Sequence, residues 1–239
     1  MGNCVFLWKT TRHVLCLNNS MKPNRTNQSR RAFTLVEVAV VIFVLVVLVA
    51  MILPQLAAAR KNRPSPRGWC ACNLKQIGLS YRLWEGDNGD KYPMNVSVTN
   101  GGTMELANGR NAWINFLVMS NQLSTPKVLH CPADTDGSAT NSWSGLNNKN
   151  VSYFVGLNAS EDDPQAILSG DDNFEIGGIA VKSGLLELPT NSPIAWTVAR
   201  HKFSGNILLA DGSVQTVTIS ALTNLLHQTG LATNRLAIP

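Results

Sequence analysis

Every residue from 38 to 53 is Val, Ala, Ile, Phe, Leu or Met, sixteen apolar positions in a row. Sixteen is short of the roughly 20 residues that cross a bilayer, but residues 33–36 and those after Pro54 supply the difference. The abundance of Val and Ile suits a buried strand, yet the run exceeds the ~10 residues of a long strand and has no turn residues at its flanks. A membrane-spanning helix is therefore expected. Glu37, at the start of the run, costs roughly 2.5–3.5 kcal/mol on insertion scales and needs a reason to be there.

The pattern then changes. Residues 60–68, Arg-Lys-Asn-Arg-Pro-Ser-Pro-Arg-Gly, are basic and carry Pro64 and Pro66, which predicts an interruption and a hinge. From Trp69, the positions Leu74, Ile77, Gly78, Tyr81, Leu83 and Trp84 repeat at helical spacing, and the helix is expected to end in the turn-rich residues 85–90. Trp69, Tyr81 and Trp84 are expected to form its contact with a sheet. Short apolar runs follow at 113–119, 128–130, 151–157, 194–198 and 206–210; the first predicts a short helix, the others strands. Ala210-Asp211-Gly212 between apolar stretches is a hairpin signal joining 206–209 to 213–218, with a helical tail over 220–228. The fold class is α+β: an N-terminal transmembrane helix, then a helix packed on an antiparallel sheet.

At 239 residues the chain accommodates one ordinary domain and an appended segment. The net charge of +5 suggests an anionic partner until its location is considered. Six of the 20 basic residues (Lys9, Arg12, Lys22, Arg25, Arg30, Arg31) precede Phe33, leaving 14 against 15 acidic residues in the remainder. No basic patch interleaved with aromatics survives there, which excludes nucleic acid as a partner. Cys4 and Cys16 lie in the basic leader, and Cys70, Cys72 and Cys131 beyond the apolar run. Outside the cytoplasm the latter three permit one bridge and one free thiol. Cys70, Cys72, His130 and Cys131 would bind a metal only if their segments met, and no paired C-x2-C motif signals zinc.

Arg30 and Arg31 before an apolar stretch also fit a secretory signal peptide. Against that reading, Ala57 to Ala59 follow Pro54 and Gln55 and run directly into Arg60 and Lys61, which makes a poor small-x-small cleavage site, and Glu37 is out of place. Read as a unit, Arg30-Arg31-Ala32-Phe33-Thr34-Leu35-Val36-Glu37 resembles the type IV prepilin and type II secretion pseudopilin signature. The resemblance implies cleavage by prepilin peptidase between Ala32 and Phe33, N-methylation of Phe33, and Glu37 as the fifth mature residue, setting register among subunits. It also implies a kinking proline where Pro54 stands. Ala32 departs from the usual Gly before the cut. Met21 would begin a twelve-residue leader more typical of such proteins.

Farther on, Cys70-Ala71-Cys72-Asn73-Leu74-Lys75-Gln76, then His130-Cys131-Pro132, then His201 with Asp211-Gly212 after nine intervening residues, resemble prepilin-like families of Planctomycetes and Verrucomicrobia. That resemblance implies a Cys70–Cys131 bridge, with Cys72 as competitor. The organisation expected is a cleaved leader (1–32), transmembrane helix (33–59), hinge (60–68) and periplasmic or extracellular domain (69–239). The positive leader holds the N-terminus in the cytoplasm and the chain in the inner membrane.

Chemistry is weakly signalled. No Gly-x-Ser-x-Gly, His-Glu-x-x-His or phosphate-binding glycine loop accompanies His201, so its pairing with Asp211 or Asp134 as acid and base lacks a nucleophile or metal. A structural tie between His201 and the Asp211-Gly212 turn is the better reading. Asp87 and Asp90, with the pairs Asp162-Asp163 and Asp171-Asp172, offer oxygens suited to calcium, but no full calcium loop surrounds them. Neither an enzyme nor a cofactor is expected. The function implied is a pseudopilin or minor-pilin subunit with prepilin peptidase, other subunits and the inner membrane as partners; the alternative is a non-polymerising binding or sensor module anchored by the same helix.

Overall fold

Thr34 opens the first helix: its Oγ1 accepts the backbone N–H of Glu37 at 3.3 Å, and its carbonyl accepts that of Val38 at 3.2 Å. The side chain thereby satisfies one of the donors orphaned at any helix start. Helix α1 (Leu35–Lys61) continues on both sides of Pro54. The computed structural model describes residues 34–61, 65–106 and 111–239, so the leader, Ala32 and Phe33 lie outside the described residues. The chain divides into two units, 1–61 and 62–239. In the first, the side chains from Leu35 to Pro54 are exposed all round the helix. This 20-residue stretch is long and apolar enough to cross a membrane.

The second unit begins with α2 (Pro66–Asp87), three residues earlier than Trp69. Ser65 caps it by accepting the Gly68 N–H at 3.2 Å, and Pro66 occupies the first turn, where its missing donor costs nothing. The prolines read as breakers thus include a helix starter. Arg60 and Lys61 belong to α1 and Pro66 to Gly68 to α2, so most of the expected 60–68 hinge is helical; 62–64 lie outside the described residues. Cys70, Leu74, Ile77, Tyr81 and Trp84 form the buried stripe of α2. Trp69 and Leu83 are half exposed and do not join it.

Short helices α3 (Ala112–Leu117) and α4 (Ser120–Leu123) precede a 3-10 turn over Pro126–Leu129. The strand expected at 128–130 is absent because Pro126 lacks the N–H and has the fixed φ that start a turn. The main sheet comprises β1 (Tyr153–Gly156), β2 (Ile167–Asp171), β5 (Gly184–Pro189), β7 (Ser204–Leu209), β8 (Val214–Thr218) and β9 (Thr233–Ile238). Its order is β5-β9-β1-β2-β7-β8, and every pairing is antiparallel. A smaller sheet holds β3 (Phe174–Ile176) between β4 (Ile179–Ala180) and β6 (Ile194–Trp196). Gly177 and Gly178, at φ +60° and +79°, make the tight β3–β4 turn, a left-handed pair that twists with its strands.

The main sheet is covered on both faces. Tyr153, Val155, Leu168 and Leu208 pack with the α2 stripe in one core. Phe154, Ile167, Ile207 and Leu209 point the other way, into a second core with Phe174, Trp196 and Leu222, Leu225 and Leu226 of α5 (Ile219–Gln228). Each of these side chains follows the period-2 alternation of a strand, but both faces are apolar, so the strands read as continuous runs. Phe154, Phe174 and Trp196 stack edge to face, with centroids 5.8 and 6.1 Å apart.

Gly205 lies directly under Trp196: a Cβ there would fall 2.4 Å from the indole ring. That ring is fully buried and also packs against Phe174. Gly205→Ala is expected to lower stability by about 1–3 kcal/mol through overpacking. Urea unfolding of the detergent-solubilised chain, followed by tryptophan fluorescence, measures this; an unchanged midpoint would show that the contact is slack.

Candidate functional sites

At the amino end of α1, Glu37 is the single ionisable residue in the span Leu35–Pro54 and sits in the helix's first turn. Its carboxylate there faces the partial positive charge of the helix N-terminus, a favourable but modest interaction. Thr34-x-x-Glu37 has capping-box spacing. That signal was available in the sequence beside the membrane pattern and ties the motif residue Thr34 to the geometry of Glu37.

The second unit buries a polar cluster where α2, the segment after the 126–129 turn, the end of β2 and the loop before β7 converge. Cys70 and Cys131 are joined by a disulfide, with Cα atoms 5.3 Å apart. The bridge spans 61 residues, which by chain entropy is worth about 4 kcal/mol. Cys72, two residues along α2, is exposed and free. The His201 Nε2 lies 3.4 Å from Cys131 Sγ and 3.4 Å from Asp171 Oδ2. Asp171 Oδ2 also accepts the backbone and side-chain N–H groups of Asn206 at 2.7 and 3.0 Å. The His201 carbonyl accepts from Arg67 at 2.6 Å and from Ser204 Oγ at 2.7 Å.

Although 3.4 Å satisfies an ion-pair distance, the contact of His201 with Asp171 is not a charged pair at neutral pH. Burial, reinforced by the charges of Arg67 and Arg200, lowers the imidazole pKa to about 4. Burial likewise raises Asp171 to about 7, against its hydrogen bonds from Asn206 and the charge of Arg200. The neutral imidazole thus lies with its Nε2 near both Cys131 Sγ and the Asp171 carboxylate, in contact with each rather than as half of an ion pair.

Arg200 supplies the cluster's cation. Its guanidinium pairs with Asp134 Oδ2 at 2.9 Å, with Asp172 Oδ1, and with the Ser152 carbonyl at 3.2 Å. Ser152 Oγ donates to Asp134 at 2.6 Å and accepts the Cys131 N–H at 3.0 Å, linking the ion pairs to the disulfide. Burial raises Asp172 to about 6 despite Arg200. Burial pushes Asp134 the same way, but the Ser152 hydrogen bond and the Arg200 charge outweigh it and leave Asp134 below its ordinary value. Arg200, Lys202 and Phe203 all take left-handed backbone conformations, a strain of order 1 kcal/mol or more each that the pairings on this loop must hold.

The structure does not tie His201 to the Asp211-Gly212 turn. Asp211 Oδ1 accepts the Ser213 N–H at 2.7 Å, and Gly212, at φ +83°, completes the β7–β8 turn. His201 stands just before β7, whose six residues extend roughly 20 Å, so the two parts of the motif lie at opposite ends of a strand. Its carboxylate partner is Asp171 on the neighbouring strand β2, which spacing along the chain could not reveal. His130 Nδ1 contacts Ser152 Oγ at 3.3 Å. Of the calcium candidates, Asp90 lines an open cavity of about 700 Å³ with Asn95, Glu161 and Asp162, whereas Asp87 does not line it. Arg200, Ser152 and Asn206 carry the cluster, but only Arg200, through its adjacency to His201, left any trace in the sequence.

Replacing Arg200 by Gln leaves Asp134 and Asp172 buried without their cation, which costs about 3–5 kcal/mol at pH 7. Both carboxyls then have folded-state pKa values raised above their unfolded ones, so the folded state binds more protons and stability rises as pH falls. The Arg200→Gln deficit is therefore expected to narrow from pH 7 toward pH 4, measured against the parent chain by unfolding at each pH. A deficit independent of pH would mean that the carboxyls do not depend on this arginine.

Comparison with known families matches residues 27–53 to the prokaryotic N-terminal methylation motif. No curated protein and no solved structure matches the chain. The matched segment covers the boundary between leader and α1 and includes Thr34, Glu37 and the apolar run. The chain thus carries a prepilin-type methylation motif on an apolar, membrane-length helix, followed by an α+β unit consistent with a pilin-like fold.

Proposed function

We propose that the chain is a pseudopilin or minor pilin, a structural subunit of a type II secretion or type IV pilus-like filament. In this reading prepilin peptidase removes residues 1–32 and methylates Phe33, and α1 first anchors the protein in the inner membrane with the leader in the cytoplasm and 69–239 in the periplasm. On assembly α1 leaves the bilayer and packs among the helices of other subunits. The Glu37 carboxylate pairs with the Phe33 amine of a neighbour, neutralising both charges in an apolar core. Pro54 relieves the helix as it leaves that core, and the Cys70–Cys131 bridge and the His201 cluster brace the outward-facing domain. The observation that carries the proposal is the coincidence, at 27–53, of the methylation motif with a helix whose span holds one carboxylate, five residues after the proposed cut.

Mass spectrometry of the membrane-purified protein is expected to show an N-terminus at Phe33, methylated, only when a prepilin peptidase is co-expressed. Glu37→Ala is expected to leave membrane insertion unchanged while reducing incorporation into filaments more than about 100-fold, the factor for leaving a buried amine unpaired at about 3 kcal/mol. Normal processing without any effect of Glu37→Ala on assembly would favour the non-polymerising anchored module. A mature N-terminus beyond residue 56 would overturn both.

A further inference from the structure

The buried cluster around the disulfide contains a complete set of metal ligands of a kind the chemistry of the bridge does not require. Cys70, Cys131, Asp171 and His201 each place one ligand atom, two sulfurs, a carboxylate oxygen and an imidazole nitrogen, within 4.8 Å of all the others. All four residues are buried. Around one tetrahedral Zn²⁺, bond lengths near 2.0–2.3 Å put ligand atoms roughly 3.3–3.8 Å apart, so the set fits an ion only once the S–S bond is broken and its two sulfurs have moved apart. The 3.4 Å spacings of His201 Nε2 to Cys131 Sγ and to Asp171 Oδ2 are already in that range.

A second, independent feature points the same way. Asp171 is fully buried, and while its Oδ2 accepts from Asn206, its Oδ1 has no hydrogen-bond partner among the described residues. A buried carboxylate oxygen without a donor is rare and calls for an account. Arg200 is committed to Asp134 and Asp172, and Arg67 to the His201 carbonyl, so neither covers Oδ1. A cation bound between the four ligands would bring a positive charge to this carboxylate.

We propose that the Cys70–Cys131 dithiol, with Asp171 and His201, forms a structural Zn²⁺ site that replaces the disulfide under reducing conditions. An external dithiol supplies two electrons and two protons, leaving as its own disulfide while the S–S bond of the chain breaks to two thiols. Zn²⁺ binding then releases both thiol protons to solvent. The resulting complex, with two thiolates and one carboxylate around the dication, carries a single negative charge, the same as the oxidised cluster with Asp171 ionised. The charges of Arg67 and Arg200 act on that complex from outside. The link between α2 and the segment at Cys131 is thereby kept in both redox states, covalent in one and coordinative in the other. A cavity of about 430 Å³ lined by Ser65, Arg67, His201 and Lys202 reaches the cluster at His201. This site does not depend on filament assembly and stands or falls apart from it.

The test uses the full chain in detergent with Cys4, Cys16 and Cys72 replaced by Ser, so that the only thiols are those of the cluster. After reduction by a phosphine, which does not compete for zinc, the protein is expected to retain one Zn²⁺ per chain through gel filtration, and the oxidised protein none. Co²⁺ in its place should give the thiolate charge-transfer and strong visible bands of a tetrahedral site. His201→Gln and Asp171→Asn should each weaken binding more than about 100-fold, beyond the loss of a supporting hydrogen bond. Circular dichroism checks that each variant is folded. If a variant fails to fold, the comparison of reduced with oxidised parent protein decides alone. No zinc in the reduced protein, equal zinc in both redox states, or a cobalt spectrum without thiolate bands would overturn the proposal.

Discussion

The constraint on which the second unit depends is that β1, β2 and β7 have no face toward water. With α2 on one side and α5 and the small sheet on the other, every polar group on these strands must find its partner inside the protein. Ser169 does so by donating to the Phe154 carbonyl at 2.7 Å, and Asn206 by donating to Asp171 and accepting from Thr216 Oγ1 at 2.7 Å. The polar cluster gathers at the strand ends, where β2 runs out at Asp171 and β7 begins after His201. There it brings Asp134 and Asp172 to Arg200 without interrupting either apolar core. The disulfide ties α2 into the same place, so the helix that covers the sheet and the loop that leads into β7 are fixed together.

The first unit obeys the opposite constraint. Among the described residues the side chains of α1 from Leu35 to Leu53 are exposed, a continuous apolar surface of the kind that meets lipid or other apolar helices. One carboxylate stands at the amino end of that surface, and a carboxylate within hydrocarbon is costly unless it lies near an interface or beside a cation. The helix cap at Thr34 supports that placement, because it sets where the first turn begins and with it where the carboxylate projects.

How much of this was legible from sequence follows from the same two constraints. The strands at 151–157 and 206–210 are visible because burial on both faces writes an unbroken hydrophobic signal, and the apolar run because it is apolar throughout with Glu37 as its one charge. The α2 stripe is visible for the complementary reason: one side is buried and one is not. The edge strands β5 and β8 mix exposed and buried positions, and β9, Thr233–Ile238, carries Asn234 and Arg235 among its apolar residues. Of these only β8 is announced, by the hairpin signal over 206–218; β5 and β9 show no clear period, and in the small sheet β6 lies in the apolar run 194–198 whereas β3 and β4 are too short for any pattern. Pro66 was read as an interruption because proline's two uses, ending and starting a helix, look the same until the cap at Ser65 is known.

The cluster shows a different limit. His201 and Asp211 stand together in the sequence motif, and a reading along the chain pairs them; the antiparallel sheet separates them by the length of β7 and gives His201 the end of the neighbouring strand instead. Sequence spacing reports contacts within a helix or across a tight turn, but not which residue a strand end meets on the strand beside it, because that depends on register. Here β2–β7 register is shifted between Ile167 and Ser169, and the aligned pair nearest the cluster is Gly170 with Ile207. From that pairing Asp171 falls opposite Asn206 and within reach of His201, and the partnership of imidazole, carboxylate and disulfide follows from the sheet rather than from the motif.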